Sequence, residues 1–492
     1  MKRYILSAVI VLAGLLCSCS DEYLNPLPTD SVSDEQIFSS VDAAQTALNA
    51  AFRFTGRHVS MTLDYIASDL MGENATCTNG NYGRPTYGWH ELSYSFGEIP
   101  SEFEPEYVWE YYYKAIDQAN SIIAHADEMP DSKARENLVA QARAIRAHAF
   151  LRLTWLYAPA YSWNKDAQAI ILRTEPANAA SEHMPRATLA AVYAQIVDDL
   201  KYAVAHCSAD KREFITPRAA SLLLARAYLD MKDYANAKAC AEAAAAGTFD
   251  GSNLMSQEQW KAGFRDHNDE WLWFFYYTPE TCNIYASIPS FYYHTSGYTD
   301  TPFGGKANLD NMDDDNYAID RWDGYGTIRW TKAFVDKFEN TDVRKRFPFY
   351  FDEMDGYYTC KFNHRTMMGD AEFPMCRVAE AYLIKAECEL HNGSAAVAKS
   401  VLNALQTARG ATPTEATEAT IFLERQKEFY GEGLYLNDIK RLNLPVNRSG
   451  YKEHWSNLDL PAGSNRLMYP IPESEMLHNK ALSASDQNEY WR

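Results

Sequence analysis

Residues 216–246 read TPRAASLLLARAYLDMKDYANAKACAEAAAA, and this stretch decides the fold class. Thr216 is a typical N-cap residue and Pro217 suits the first helical position, so we predict a helix over 217–231. A second helix is predicted over 233–246. The spacing of a tetratricopeptide repeat, with characteristic residues at positions 8, 11, 20 and 27, is met by Ala225, Tyr228, Ala237 and Ala244.

A second match to this repeat occurs late in the chain, at Ala386, Ala398 and Leu405. Helix pairs of this type cannot bury their apolar faces alone, so they stack on one another. Generic antiparallel helices remain an alternative on spacing alone. Apolar periodicity predicts further helices over 109–123, 133–157, 188–206, 376–392, 394–409 and 417–442. The predicted fold class is therefore mostly α, with tetratricopeptide-like helix pairs forming a scaffold.

Two regions lack helical periodicity, 77–101 and 251–375. Both are rich in Gly and polar residues, and the second holds many of the chain's 33 Tyr and 11 Trp. The dense aromatic run at 271–277 is interpreted as a buried strand. Long loops in a compact protein are usually functional, so the ligand site is expected in this irregular half.

The N-terminus has the layout of a secretory signal. Lys2 and Arg3 precede an apolar run of 13 residues, Tyr4 to Leu16, which is shorter than the roughly 18 to 20 residues that span a bilayer. Cys19 has Leu at −3 and Ser at −1, which resembles the lipobox of bacterial lipoproteins, whereas Cys17 fits less well. We expect a mature chain lipidated at Cys19; an ordinary signal peptide is the alternative.

Acidic Asp21 and Glu22 follow this cysteine and resemble a surface-export signal of Gram-negative lipoproteins. The polar, Pro-containing segment that continues to residue 33 is expected to form an extended tether. The protein is then anchored at the cell outer membrane, exposed on the surface, without spanning it.

Composition excludes some functions. The formal net charge of −20 argues against nucleic-acid binding, because that field repels phosphate. Beyond Cys19 there are seven scattered cysteines and no Cys-x-x-Cys pair, so zinc or thioredoxin-type chemistry has no support. Nucleophile-elbow, zincin and P-loop motifs are absent. The acidic run at 310–316 lacks the Gly and Glu of an EF-hand and is expected to be solvated. No cofactor, metal or catalytic residue is expected.

Several segments, in order, resemble the SusD/RagB-like family of outer-membrane lipoproteins. They span nearly the whole chain: 19–24 (CSDEYL), 142–147 (ARAIRA), 377–383 (RVAEAYL), 424–428 (ERQKE), 438–441 (DIKR) and 469–472 (YPIP). Charged residues in these motifs could suggest an active site. We interpret them as structural, because helices bury arginines beside carboxylates: Arg143, Arg146, Glu380, Glu424, Arg425 and Glu432.

The resemblance implies a non-catalytic surface protein, not an enzyme, that captures oligosaccharides, or in some members peptides, for a SusC-like TonB-dependent barrel. The implied organisation is a signal peptide (1–18), a lipidated tether (19–33), an N-terminal helical region (34–250), a loop-rich insert (251–375) and a C-terminal SusD/RagB region (376–492).

By the same resemblance the ligand site draws on loop aromatics, because rings stack on the C–H faces of sugars. The candidate rings are Trp89, Tyr292, Tyr293, Tyr298, Trp322 and Tyr325. Polar neighbours that could bind hydroxyl groups are Asn81, Arg84, Asp300, Arg321 and Asp323.

Three other functions stay open at this point. Peptide capture by the same architecture would show an open polar cavity in place of an aromatic platform. A surface glycoside hydrolase would place two carboxylates roughly 5–10 Å apart in a cleft. A pure interaction scaffold would show no small-ligand cleft.

Overall fold

The computed structural model describes residues 34–57, 61–77, 105–178, 183–208, 210–282, 287–292, 326, 328–347, 349–351, 356–363, 365, 369–449 and 459–491. The predicted signal segment, Cys19 and the tether lie outside these residues. Among the helices of the described part, none combines the length and apolar character needed to cross a membrane.

Helices form most of the described chain. The α-helices are α1 (Asp34–Ile37), α2 (Val41–Thr55), α3 (Ala67–Leu70), α4 (Pro105–Ala124), α5 (Lys133–Tyr157), α6 (Leu189–His206), α7 (Pro217–Asp230), α8 (Tyr234–Ala244), α9 (Gln257–Ala262), α10 (Ile288–Tyr292), α11 (Lys332–Val335), α12 (Val378–Asn392), α13 (Ala395–Ala408), α14 (Glu418–Phe429), α15 (Tyr435–Arg441) and α16 (Glu473–His478). A π-helix, Thr62–Ile66, precedes α3, and 3₁₀ turns occupy Ala126–Glu128, Asn465–Leu467, Ala484–Asp486 and Glu489–Trp491.

Local capping explains where these helices begin. The Ser132 hydroxyl accepts a hydrogen bond from the Arg135 amide at the start of α5. Thr216 does the same for the Ala219 amide at the start of α7, where Pro217 needs no amide partner. The prediction over 133–157 is confirmed in full, and the two helices predicted after Thr216 are confirmed within two residues at their ends.

The longer helices pack in a continuous row: α2 on α4, then α5, α6, α7, α8, α12 and α13. Small side chains set this close approach. Ala225, Ala237 and Ala244 are completely buried between α7 and α8, and Ala386 and Ala398 are completely buried between α12 and α13. The structure thus confirms the tetratricopeptide-like pairing and the mostly α fold.

Short antiparallel strands complete the fold: β1 (Ala75–Cys77), β2 (Trp271–Phe275), β3 (Ile328–Thr331), β4 (Phe349–Phe351), β5 (Gly356–Tyr358), β6 (Phe373–Arg377), β7 (Val446–Asn447) and β8 (Asp459–Leu460). One sheet has the order β1-β3-β5-β4, and β2 pairs with β6 and β7 with β8. Every residue of β2 is buried, which confirms the strand predicted from the aromatic run. Tyr276, just beyond its end, is 57% exposed and contradicts that prediction locally.

The prediction of one continuous helix over 417–442 is wrong, because the chain forms two helices there, α14 and α15, with a turn between them. Gly431 and Gly433 adopt positive φ angles of 79° and 70° in this turn. A Cβ at Gly431 would lie 2.4 Å from the Phe362 ring, and one at Gly433 would lie 2.5 Å from Tyr65. Only glycine fits here, so the helix ends before them.

A buried ion cluster joins distant parts of the chain. The Glu428 carboxylate accepts hydrogen bonds from Arg377 and Arg409 at 2.9 and 2.8 Å through Oε1, and from Arg344 at 3.2 Å through Oε2. Arg377 and Arg409 also bind Glu270, the residue directly before β2. We call these five residues, all fully buried, the Glu428 cluster.

The other charged motif residues also pair inside the fold. Buried pairs are Arg146 with Asp199, Arg226 with Glu380, Arg344 with Glu424, Arg377 with Glu432 and Arg425 with Asp438, and half-buried Arg143 binds Asp198. The structural interpretation of these residues is therefore confirmed.

We predict that Glu428→Gln lowers the free energy of unfolding by about 3–5 kcal/mol, because three buried arginines lose their shared countercharge. Chemical denaturation at pH 7 measures the change. The control is Glu415→Gln, which breaks the exposed pair with Lys399 and should cost less than about 1 kcal/mol.

The same variant should change the acid sensitivity of the fold. Burial alone would raise the pKa of Glu428, but Arg409, Arg377 and Arg344 outweigh it and lower this pKa well below its usual range. The stabilisation is then complete above the pKa of an unfolded glutamate, about 4.3, and is lost as pH falls below it. Equal loss of stability in wild type and Glu428→Gln between pH 5 and 3 would contradict this assignment.

Candidate functional site

Described residues that flank parts of the predicted loop regions meet at one end of the four-stranded sheet. Cys77, the last residue of β1, is paired with Ile328, the first residue of β3. Segment 78–104 follows Cys77 in the chain, and segment 293–325 ends shortly before Ile328. The antiparallel register therefore holds Cys77, which precedes residues 78–104 in the sequence, beside Ile328, which follows residues 293–325.

Ser290 and Gly326, which flank residues 293–325 in the sequence, are also joined. The Gly326 amide donates a hydrogen bond of 2.8 Å to the carbonyl of Ser290 in α10. Tyr293 follows α10 in the sequence and Tyr325 precedes Gly326. We call the described residues Cys77, Ser290, Gly326 and Ile328 the loop base.

Aromatic packing around Trp330 of β3 supports the loop base. Trp330 of β3 contacts Tyr430 and Phe334, with ring centroids 5.1 and 5.2 Å apart. The Tyr430 hydroxyl donates a hydrogen bond of 2.9 Å to the carbonyl of Arg344, a member of the Glu428 cluster. The ion cluster and the loop base thus share one rigid support.

The prediction that Tyr292 belongs to the ligand site is wrong. Its side chain is completely buried, with its ring 5.3 Å from Phe362 and 6.1 Å from Trp330. Burial raises the pKa of its hydroxyl well above the usual value. The ring at the end of α10 points into the core, so Tyr292 packs there and does not present its ring to a ligand.

The remaining predicted ligand residues lie outside the described part of the chain, so they stay predictions. They are Asn81, Arg84, Trp89, Tyr293, Tyr298, Asp300, Arg321, Trp322, Asp323 and Tyr325. The acidic run at 310–316 also lies outside it.

A separate cleft of about 720 Å³ is formed by described residues between the end of α2 and the segment after β2. Its aromatic floor consists of Phe52, Phe214, Phe275 and Tyr277. Its polar or exposed rim consists of Asn49, Arg53, Arg57, Glu213, Tyr276 and Thr281. We call this feature the α2 cleft.

Close backbone packing shapes the α2 cleft. Tyr277 donates its hydroxyl hydrogen to the carbonyl of Gly56 at 2.5 Å, which joins the end of α2 to the chain after β2. A Cβ at Gly56 would lie 2.7 Å from the Phe275 ring, so glycine allows this approach. Sequence reasoning missed the cleft, although Thr278-Pro279 signals that the strand has ended near Tyr276.

Within the described ranges, no three His, Cys, Asp or Glu side chains converge as metal ligands would. Among the described residues, no disulfide joins any two of the seven cysteines after Cys19, which are Cys77, Cys207, Cys240, Cys282, Cys360, Cys376 and Cys388.

Two protein-family models match the sequence of the chain. Residues 350–491 match the family model described as the SusD family, and residues 30–229 match one described as starch-binding associating with outer membrane. Together these two matches cover well over half of the chain. The chain belongs to the SusD family.

Solved structures of SusD-family proteins share the fold over their full length. A SusD-like carbohydrate binding protein from Bacteroides vulgatus is 24% identical, with a TM-score of 0.72 over 92% of this chain and 98% of that one. A laminarin binding SusD-like protein is 19% identical (TM-score 0.64, 91% and 98%). Surface glycan-binding protein A from Bacteroides fluxus is 18% identical (TM-score 0.68, 91% and 99%). No curated protein matches the chain in sequence.

We predict that Tyr292→Phe keeps or slightly raises stability, because the buried Tyr292 hydroxyl has no hydrogen-bond partner among the residues that the structure describes. Tyr292→Ala should cost about 3–5 kcal/mol through the cavity it leaves. Thermal and denaturant unfolding measure both changes. A loss of ligand affinity in Tyr292→Phe, with unchanged stability, would return Tyr292 to the ligand site.

Proposed function

We propose that the chain is a non-catalytic, cell-surface glycan-binding lipoprotein that captures oligosaccharides for import through a SusC-like TonB-dependent barrel. The observation that carries this proposal is the loop base. The register pairs Cys77 with Ile328, and these two residues flank, in the sequence, the segments that contain Trp89, Tyr298 and Trp322. The carbohydrate, laminarin and surface-glycan binding stated for the three relatives supports the same ligand class.

Rings from these segments suit sugar binding. An aromatic ring on a sugar face contributes about 0.5–1.5 kcal/mol beyond burial, by analogy with aromatic pairs. A few such contacts with hydrogen bonds to hydroxyl groups give modest affinity, which allows the cargo to be released. Attachment beside a transporter compensates for this modest affinity, because it gives the binding site a high effective concentration next to the barrel.

The membrane attachment proposed here rests on Cys19. The 15 residues from 19 to 33 precede α1, which begins at Asp34. Fully extended, they reach about 50 Å. A tether of this reach lets the helical body stand off the membrane and contact a neighbouring barrel while acyl chains hold it at the outer leaflet.

We predict that Trp89→Ala and Trp322→Ala each weaken oligosaccharide binding by roughly tenfold, about the loss of one stacked ring. Calorimetry against starch, laminarin and other glucan oligosaccharides measures this. Leu477→Ala is the control, because Leu477 is 72% exposed on α16, outside the candidate segments.

Several results of this screen would contradict the proposal. Binding of peptides and of no glycan would indicate peptide capture. Release of reducing ends from a polysaccharide would indicate a glycoside hydrolase. Wild-type affinity in both tryptophan variants would remove these rings from the site.

We predict that Cys19→Ser abolishes incorporation of labelled fatty acid, because the serine hydroxyl cannot replace the acylated thiol. Cys17→Ser should leave labelling intact. Protease treatment of intact cells tests exposure: the wild-type protein should be degraded. Labelling that persists in Cys19→Ser would place the anchor elsewhere.

A further inference from the structure

The rim of the α2 cleft carries positive charge near the end of α2. Arg53 lies in the last turn of α2 and Arg57 follows the end of that helix, and both side chains are exposed. The Arg57 guanidinium lies 4.9 Å above the centre of the Tyr111 ring, which orients it. No described carboxylate lies within ion-pair distance of Arg53, so its charge is available to a ligand.

Tyr276 forms an aromatic platform on the same rim. Its side chain is 57% exposed, whereas its neighbours Phe275 and Tyr277 are buried. The Arg365 guanidinium lies 5.7 Å from the centre of the Tyr276 ring, and Asp266 and Glu372 bind that guanidinium at 2.7 and 3.0 Å. One face of the ring is thus supported by a cation that ion pairs hold in place, which limits the entropy lost when a ligand stacks on Tyr276.

The combination of a ring and an available guanidinium defines a ligand class. Arg binds carboxylate and sulfate groups through two parallel hydrogen bonds, and an aromatic ring accepts the C–H face of a pyranose. Among the described rim residues Glu213 is the one carboxylate, and it can accept hydrogen bonds from sugar hydroxyls. A volume of about 720 Å³ lies within the usual range for small-ligand sites, so a short oligosaccharide fits.

We infer that the α2 cleft is a second glycan site, selective for oligosaccharides that carry an anionic group. The sugar stacks on Tyr276 and its carboxylate or sulfate binds Arg53. In a chain with a formal charge of −20, this local positive charge offsets a general repulsion of anions. The inference rests on the proposed function only in that the ligand is an oligosaccharide.

The test uses the full-length chain in mild detergent and calorimetry with matched probes. The probes are tetragalacturonate, its fully methyl-esterified form and a sulfated galactan tetrasaccharide. Wild type should bind at least one anionic probe more tightly than the uncharged ester. Arg53→Gln should weaken anionic binding by about tenfold and leave the ester unchanged. Raised salt should weaken the anionic probe alone.

Further variants separate charge from stacking. Tyr276→Ala should weaken all probes that bind the cleft, and Tyr276→Phe should keep them. Glu213→Gln should strengthen anionic binding, because a repelling charge is removed. Lys399→Gln, a change of an exposed cation outside the cleft, is the matched control and should bind as wild type. Circular dichroism confirms that each exposed-site variant is folded.

Specific results would overturn the inference. These are the absence of binding by both anionic probes, equal affinity for the acid and its ester, unchanged affinity in Arg53→Gln, or occupation of the cleft by peptides in place of sugars. The Trp89→Ala, Trp322→Ala double variant distinguishes the two proposals. If it loses neutral glycans but keeps tetragalacturonate, both sites stand. If it loses tetragalacturonate while Arg53→Gln does not, the cleft inference fails and the loop site stands.

Discussion

The structure depends on one buried carboxylate, Glu428, and the three arginines that it binds. A buried guanidinium without a partner is too costly to retain, so these residues must assemble together or leave the fold unstable. They come from separate places: Arg344 before the β4–β5 hairpin, Arg377 at the end of β6, Arg409 after α13 and Glu428 in α14. Because hydrogen bonds to charged groups are directional, the cluster fixes orientation as well as proximity. The row of helices thereby becomes rigidly attached to the small sheet.

This attachment matters because the sheet holds the loop base. The aromatic group around Trp330 and Tyr430 transmits the position of the ion cluster to β3, and the β1–β3 register carries it to Cys77. These connections are contacts between packed rings and hydrogen bonds to main-chain atoms. A close-packed interior allows the residues that form such contacts little displacement. A binding surface made of long segments gains affinity when their ends are fixed, since less conformational entropy is lost on binding. A rigid loop base is therefore a physical requirement of the proposed capture function.

Sequence alone predicted the parts of the fold that local rules determine. Ser132, Thr216 and Pro217 set helix starts through caps that need no distant partner, and small residues such as Ala237 indicated close helix pairing. The errors arose where a distant contact decides the outcome. The break after Phe429 depends on Phe362 and Tyr65, which lie far away in sequence and exclude a Cβ at the intervening glycines. Tyr292 and Tyr276 were misassigned for the same reason: both belong to aromatic clusters, and only the packed neighbours determine which ring faces the core.

The α2 cleft shows how the same scaffold can support a site that family resemblance does not indicate. Its floor is built from core aromatics, so the stability of the cleft comes from the fold itself. Its rim residues are exposed and contribute little to folding, which leaves Arg53, Glu213 and Tyr276 free to change without loss of the scaffold. Charge selection at such a rim acts over roughly a Debye length, about 8 Å at physiological salt, so it influences the first contact with a ligand as well as the bound state. An acidic protein that gathers anionic sugars needs a local region of positive charge such as this rim, because the negative electrostatic field of the whole protein would otherwise repel these ligands.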